Sequence, residues 1–107
     1  MNKIFIVGNL TRDPERTSHD SGKVSCRFTV AVNRMYDHEK ADYFKVITWG
    51  QKAENCYRYL LQGKKVAVEG AHEMHKYVDK DGIERIDWEI KAESVEFLSP
   101  ASNAENR

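Results

Sequence analysis

The chain has 107 residues, 40% of them apolar and 32% charged, the size and composition of one ordinary globular domain with a single modest core. Those proportions exclude a disordered chain, and the longest apolar run, Ile4 to Val7, is far too short to span a bilayer. Seventeen basic residues balance seventeen acidic ones, so a polyanionic partner can be argued only from where the charges lie.

Period-two alternation of apolar and polar residues dominates the sequence, the mark of half-buried strands. Lys3 to Asn9 predicts a first strand, and Thr11 to Lys23, holding Pro14 and Gly22, a long polar connection. The second strand runs from Val24 to Arg34, with Val24, Cys26, Phe28, Val30 and Val32 on one face and Ser25, Arg27, Thr29 and Ala31 on the other. Tyr36 to Ala41 reads as a charged turn, and Asp42 to Gly50 as the third strand. The period then changes. Ala53, Cys56, Tyr57, Leu60 and Leu61 recur at three- and four-residue intervals, predicting a helix over Gln51 to Gln62 with Gly63 as a left-handed cap. Lys65 to His72 is a fourth strand with a bulge or bend near Gly70. Asp79-Lys80-Asp81-Gly82 predicts a hairpin turn between Met74–Val78 and Ile83–Asp87. The last strand continues to about Leu98, and Pro100 stops it.

The expected fold is therefore all-β with one helix: a five-stranded OB-fold, a Greek-key barrel, with the helix between strands 3 and 4. Residues 1–100 form that domain and 101–107 a short polar tail. Cys26 and Cys56 build no disulfide framework and lack metal-ligand spacing, so both read as buried free thiols. Met1 leads almost at once into a strand, with no signal peptide's apolar stretch, and the expected location is the cytoplasm.

Several stretches also resemble a known family. MNKIFIVGNLTRDPER (Met1 to Arg16), TVAVNR (Thr29 to Arg34), Ala53-Glu54-Asn55, Val68-Glu69-Gly70, the hairpin Tyr77 to Arg85 and Val95-Glu96-Phe97-Leu98 occur in order over residues 1 to 98. Together they resemble the bacterial single-stranded DNA-binding proteins, with GNLTRDPE the most specific piece. The resemblance implies sequence-independent binding and protection of single-stranded DNA during replication, recombination or repair. It also implies a nucleoid-associated protein that forms a homotetramer, or alternatively a dimer.

Binding any single strand needs flat side chains on which bases stack and cations for the backbone. The third strand supplies both on one face, where Tyr43, Lys45, Ile47 and Trp49 alternate with the more apolar Phe44, Val46 and Thr48. By the resemblance, base stacking falls to Tyr36, Tyr43, Trp49 and Tyr77. The expected phosphate contacts are Lys3, Arg34, Lys45, Lys52, Lys65, Lys76 and Arg85. Trp88 shares a face with Ile86 and Ile90 and is assigned to core or subunit packing, with Phe44 a second interface candidate. Where the family commonly carries basic residues, this chain reads Ala71-His72-Glu73-Met74-His75-Lys76, which predicts weaker or more pH-dependent binding.

No enzyme is expected. His72 and His75 point to opposite faces of a strand, and no cysteine or carboxylate pattern completes a metal site. Asp79, Asp81 and Glu84 lack the length and closing Glu of a calcium loop. Neither a phosphate-cradling glycine loop nor a nucleophile elbow is present, so no metal, cofactor or catalytic residue is assigned. The alternative is a primosomal-type OB-fold protein that binds single strands and docks replication partners. An RNA-binding OB-fold would carry other aromatic motifs. The family's acidic, hydrophobic C-terminal tip has no counterpart in Asn103 to Arg107, so recruitment of replication and repair proteins is not expected, and neither is a membrane partner.

Overall fold

The apolar alternation becomes six strands and one helix in the computed structural model, which describes residues 1–99. In chain order these are β1 (Ile4–Leu10), β2 (Glu15–Ser18), β3 (Val24–Arg34), β4 (Asp37–Trp49), α1 (Gln51–Tyr59), β5 (Lys65–Val78) and β6 (Glu84–Phe97). The expected Pro100 stop and the tail 101–107 lie outside the described residues. The sheet order is β1-β5-β6-β4-β3-β2, and β1 also pairs with β3 through Asn9↔Ala31 and Leu10↔Val30. That second pairing closes five strands into a barrel and leaves β2 as a flap on the edge of β3. Only β4 and β6 run parallel, at Val46↔Ile90 and Ile47↔Lys91. The architecture is consistent with an OB-fold.

One face of every long strand fills the barrel. Ile6, Leu10, Cys26, Phe28, Val30, Val46, Val66, Val68 and Ile90 are buried there, joined from the helix side by Ala53, Cys56 and Leu60. Each large aliphatic side chain so buried contributes about 1.5–3 kcal/mol. Thr48 is the polar exception on this face, fully buried, and its hydroxyl donates to the Cys26 carbonyl at 3.1 Å. Neither cysteine forms a disulfide, and both are buried. Burial pushes the Cys56 thiol up to about 12, which keeps it protonated and inert at ordinary pH.

The structure corrects four expectations. Glu15–Ser18, expected inside a polar connection, is a strand that pairs with β3 from Glu15↔Arg27 to Ser18↔Val24. All four of its residues are exposed, so it carries no apolar alternation. The helix therefore stands between β4 and β5, not between strands 3 and 4. Residues 37–41, expected as a charged turn, belong to β4, and the turn shrinks to Met35-Tyr36. Finally, α1 ends at Tyr59 rather than Gln62, because Leu60 turns extended to bury itself (φ −97°, ψ 145°). Gly63 then serves the following turn, donating to the Leu10 carbonyl at 2.9 Å, instead of capping the helix.

The hairpin is found where expected. Asp79 Oδ1 accepts from the backbone N–H groups of Asp81 and Ile83, while Arg85 holds Oδ2 at 2.9 Å. Those donors hold the Asp79 carboxyl below its ordinary value of 3.8, Arg85 most of all. This contribution to the turn is present above the ordinary value and is lost as pH falls through the lowered one.

Gly70 marks the expected bulge, at a register shift between Glu69 and Gly70. A Cβ there would sit 2.1 Å from the Lys91 carbonyl oxygen and 2.9 Å from the Ala92 Cα. Both obstacles are backbone. Gly70→Ala should therefore cost about 1–3 kcal/mol, as overpacking does, and lower the thermal midpoint by several degrees. An unchanged melting curve would contradict so close an approach of β5 to β6.

Candidate nucleic-acid interface

The pairings Ser25↔Trp49, Arg27↔Ile47, Thr29↔Lys45 and Ala31↔Tyr43 put these residues on the outer face of the β3–β4 sheet. Their neighbours Cys26, Phe28, Val30, Val46 and Thr48 are buried within. The parallel pairing Ile47↔Lys91 extends the face onto β6, and Tyr77↔Arg85 carries it up the β5–β6 arm. One continuous surface thus joins Tyr43, Lys45, Trp49, Tyr77 and Arg85. Tyr43 and Trp49 are six residues apart on one strand, about 20 Å at 3.3 Å per residue.

The rings are available. Tyr36 is 82% exposed, Tyr43 67%, Tyr77 51% and Trp49 36%. Gly50, at φ 65° and ψ −133°, makes the turn from Trp49 into α1, a conformation that residues with a Cβ rarely adopt. His19, in the β2–β3 turn, lies against Trp49 at 5.1 Å between ring centres and is held by Ser25 at 2.9 Å. The indole is thereby backed on one side. Tyr36 sits at the β3–β4 turn, where its hydroxyl accepts from Arg34 Nη1 at 3.3 Å.

The cations are less available than the aromatics. Lys45 Nζ bonds both oxygens of Asp87, at 2.9 and 3.0 Å. Arg34 forks onto Asp42, with Nη2 at 2.8 Å; this contact holds Asp42 below the usual carboxylate range and raises Arg34. Lys3 reaches Glu93 and Glu69, which raise its pKa in that order. Arg85 is paired with Asp79. Lys52, Lys65 and Lys76 carry no ion pair among the described residues, but they lie away from the Tyr43–Trp49 face. Lys65 starts β5 opposite Asn9. Lys52 borders a hollow with Tyr59, Ser94 and Val95. Lys76 pairs with Ile86, on the opposite face of the arm from Tyr77. On the outer face carboxylates hold Lys45, Arg27 and Arg85, while Lys91 carries no ion pair among the described residues.

Sequence reasoning missed His19, Arg27, Asp87, Glu89 and Lys91. Arg27 Nε donates to Glu89 at 3.1 Å, and His75 lies 3.7 Å from Glu73 and 3.8 Å from Glu89. Strand parity placed Arg27 on the face opposite buried Cys26 and Phe28, but gave it no part in the site. Nothing local could have paired it with a residue 62 positions away. Ile47 was expected on the outer face and lies there, but it is only 4% exposed, forming the floor of a groove rather than a platform. Trp88 shares its strand face with fully buried Ile90, yet it remains half exposed, against His72 at 4.8 Å between ring centres. Phe44 packs partly against the core and faces the same histidine at 6.4 Å. His72 and His75 point to opposite faces, and no group of three or more potential metal ligands occurs among the described residues. Nor is any helix there long and apolar enough to cross a membrane.

Residues 1–98 match the model of the single-strand binding protein family. The chain is 38% identical over 112 residues to single-stranded DNA-binding protein 2 of Clostridium acetobutylicum, covering 99% of this chain and 84% of that one. It is 36% identical over 109 residues to single-stranded DNA-binding protein 2 of Listeria innocua, covering 98% and 69%. A third relative, single-stranded DNA-binding protein 1 of Staphylococcus aureus, is 34% identical over 111 residues, covering 100% and 71%.

Proposed function

The chain belongs to the single-strand binding protein family, and from that membership we propose that it binds and shields single-stranded DNA of any sequence, without catalysing a reaction. The observation that carries the reading is the continuous outer face, where exposed Tyr43, Trp49 and Tyr77 are interleaved with Lys45 and Arg85. Bases stack on the rings while the backbone follows the cations. Tyr36, with Arg34 beside it, extends the path at the β3–β4 turn. Lys3, Lys52, Lys65 and Lys76 contact phosphate only where the strand leaves this face and wraps the barrel.

Residues 1–100 act as the strand-binding unit. The site of action is the cytoplasm, on strands exposed in replication, recombination and repair. Self-association into a homotetramer fits the exposed Phe5 and Val7 on the outer side of β1, since apolar side chains on a strand face favour burial against a partner. Light scattering at micromolar concentration tests this, and a monomer would refute it.

The function is tested by competing oligo-dT, oligo-U and duplex DNA for the protein at fixed ionic strength. The expected order places oligo-dT first. A strong preference for RNA or for duplex would overturn the reading.

A further inference from the structure

Trp49 and the β5–β6 arm enclose a groove of about 830 Å³ on the outer face, with Ile47 as its floor and Trp49 as one wall. A single row of cross-strand partners puts a cation on each side of that floor, Arg27 opposite Ile47 on β3 and Lys91 opposite Ile47 on β6. With neighbouring strands about 4.8 Å apart, the two long side chains start roughly 10 Å from each other and can converge on one phosphate above Ile47. Lys91 carries no ion pair among the described residues, and neither does Lys23, which lines the groove from the β2–β3 turn. Arg27 is held. Its Nε donates to Glu89 Oε2 at 3.1 Å, and the Glu89 side chain is only 14% exposed. The other oxygen of that carboxylate, Oε1, lies 3.8 Å from His75 Nε2, which stands 3.7 Å from Glu73 Oε1 as well.

We propose that Arg27 and Lys91 form a seat for one phosphate of the bound strand, and that protonation of His75 opens it. The proposal rests on the strand-binding function and adds a site and a proton to it. A phosphate takes Arg27 only by displacing Glu89. While His75 is neutral, the displaced carboxylate is left without a partner in an enclosed position beside the arriving anion, which is costly. An imidazolium at His75 supplies that partner where it stands and offsets Glu73 on the same rim. The other charges around His75 are occupied. Asp87, its cross-strand partner, holds Lys45; Arg85 is paired with Asp79; and Glu54, from α1, holds Arg16 at 2.6 Å. His19, behind Trp49, bonds the Ser25 hydroxyl. Phosphate binding therefore favours the charged form of His75, and by linkage the proton favours the strand to the same degree. Affinity is greatest below the histidine range and falls as pH rises through it.

The test is titration of labelled oligo-dT at fixed ionic strength between about pH 6 and about pH 8, the interval in which histidine changes charge. It compares the unaltered protein with His75→Gln, Glu89→Gln and Arg27→Gln. The unaltered protein should lose about fivefold in affinity across the interval, the equivalent of one pair of unit charges about 4 Å apart in water. His75→Gln should stay at the weaker, alkaline level throughout. Glu89→Gln should stay at or above the acid level, because Arg27 is then free at every pH. His75 is exposed, so its variant keeps the comparison sound if Glu89→Gln disturbs folding. At the acid end, Arg27→Gln should also make the slope of log affinity against log salt shallower by about 0.7, the value of one single-strand phosphate. Affinity independent of pH in the unaltered protein, or a pH dependence that survives in His75→Gln, would overturn the proposal. A salt slope unchanged in Arg27→Gln would do the same, since no phosphate would then sit at Arg27. Failure of the unaltered protein to bind oligo-dT at any pH would instead refute the strand-binding function itself.

Discussion

Replacing Trp49 by alanine should weaken binding of oligo-dT by about 5- to 150-fold, the equivalent of the 1–3 kcal/mol that one stacked base contributes. The size of the effect follows from the way the ring is held. Trp49 ends β4, Gly50 turns the chain sharply behind it, and His19 backs the indole at 5.1 Å. A ring fixed in this way loses little rotamer freedom when a base stacks on it. Trp49 also walls the groove over Ile47, so its loss removes a stacking surface and opens the groove together. Equilibrium titration of labelled oligo-dT checks the expectation, with thermal melting to show that the variant remains folded. Affinity within twofold of the unaltered protein would place the strand elsewhere.

The second large effect runs the other way, and Asp87→Asn should strengthen binding. Lys45 stands on the outer face between Tyr43 and Ile47, and both oxygens of Asp87 hold its ammonium. A phosphate approaching Lys45 must take it from that carboxylate and leaves Asp87 uncompensated beside the strand. Asparagine removes the competing charge and keeps an amide oxygen at the position that accepts the Trp88 N–H at 3.1 Å. The gain should be about fivefold at low salt, since unit charges about 4 Å apart in water interact by about 1 kcal/mol. The salt dependence should steepen as well. An uncompensated Asp87 recovers a cation when the strand binds, which cancels part of the counterion release from the DNA. Without it, the slope of log affinity against log salt should become more negative by up to about 0.7, the value of one single-strand phosphate. Titrations at several salt concentrations measure both quantities. Unchanged affinity and slope would mean that Lys45 does not meet phosphate.

The features legible in the sequence are those set by local periodicity. Val24 to Val32 alternate inward as expected because a single buried face imposes period two on β3. The Asp79–Gly82 turn was legible because its hydrogen bonds are made within a few residues of chain. The strand Glu15–Ser18 was not, since its backbone pairs with β3 while all its side chains stay in water. The charged start of β4 was hidden for the same reason. Helix α1 ends early because Leu60 finds a place in the core, a tertiary demand that no capping rule contains.

The site divides in the same way. Tyr43, Lys45 and Trp49 share a face by parity alone, and the family resemblance pointed to Tyr36 and Tyr77. The carboxylates that hold the cations were invisible. Lys45 and Asp87 are 42 residues apart in sequence and meet only because β4 and β6 lie side by side in a closed barrel. Cross-strand register, rather than composition, sets carboxylates against Lys45 and Arg27 on the outer face of a neutral chain.

The central claim is that the strand stacks on the β4 face, and the chain's two tryptophans allow one direct measurement of it. In Trp88→Phe the only remaining indole is Trp49, and its emission reports on that ring alone. Titration with oligo-dT should quench the emission strongly and saturate at the same stoichiometry as binding followed on the labelled oligonucleotide. Binding that saturates while the emission stays unchanged would contradict the claim.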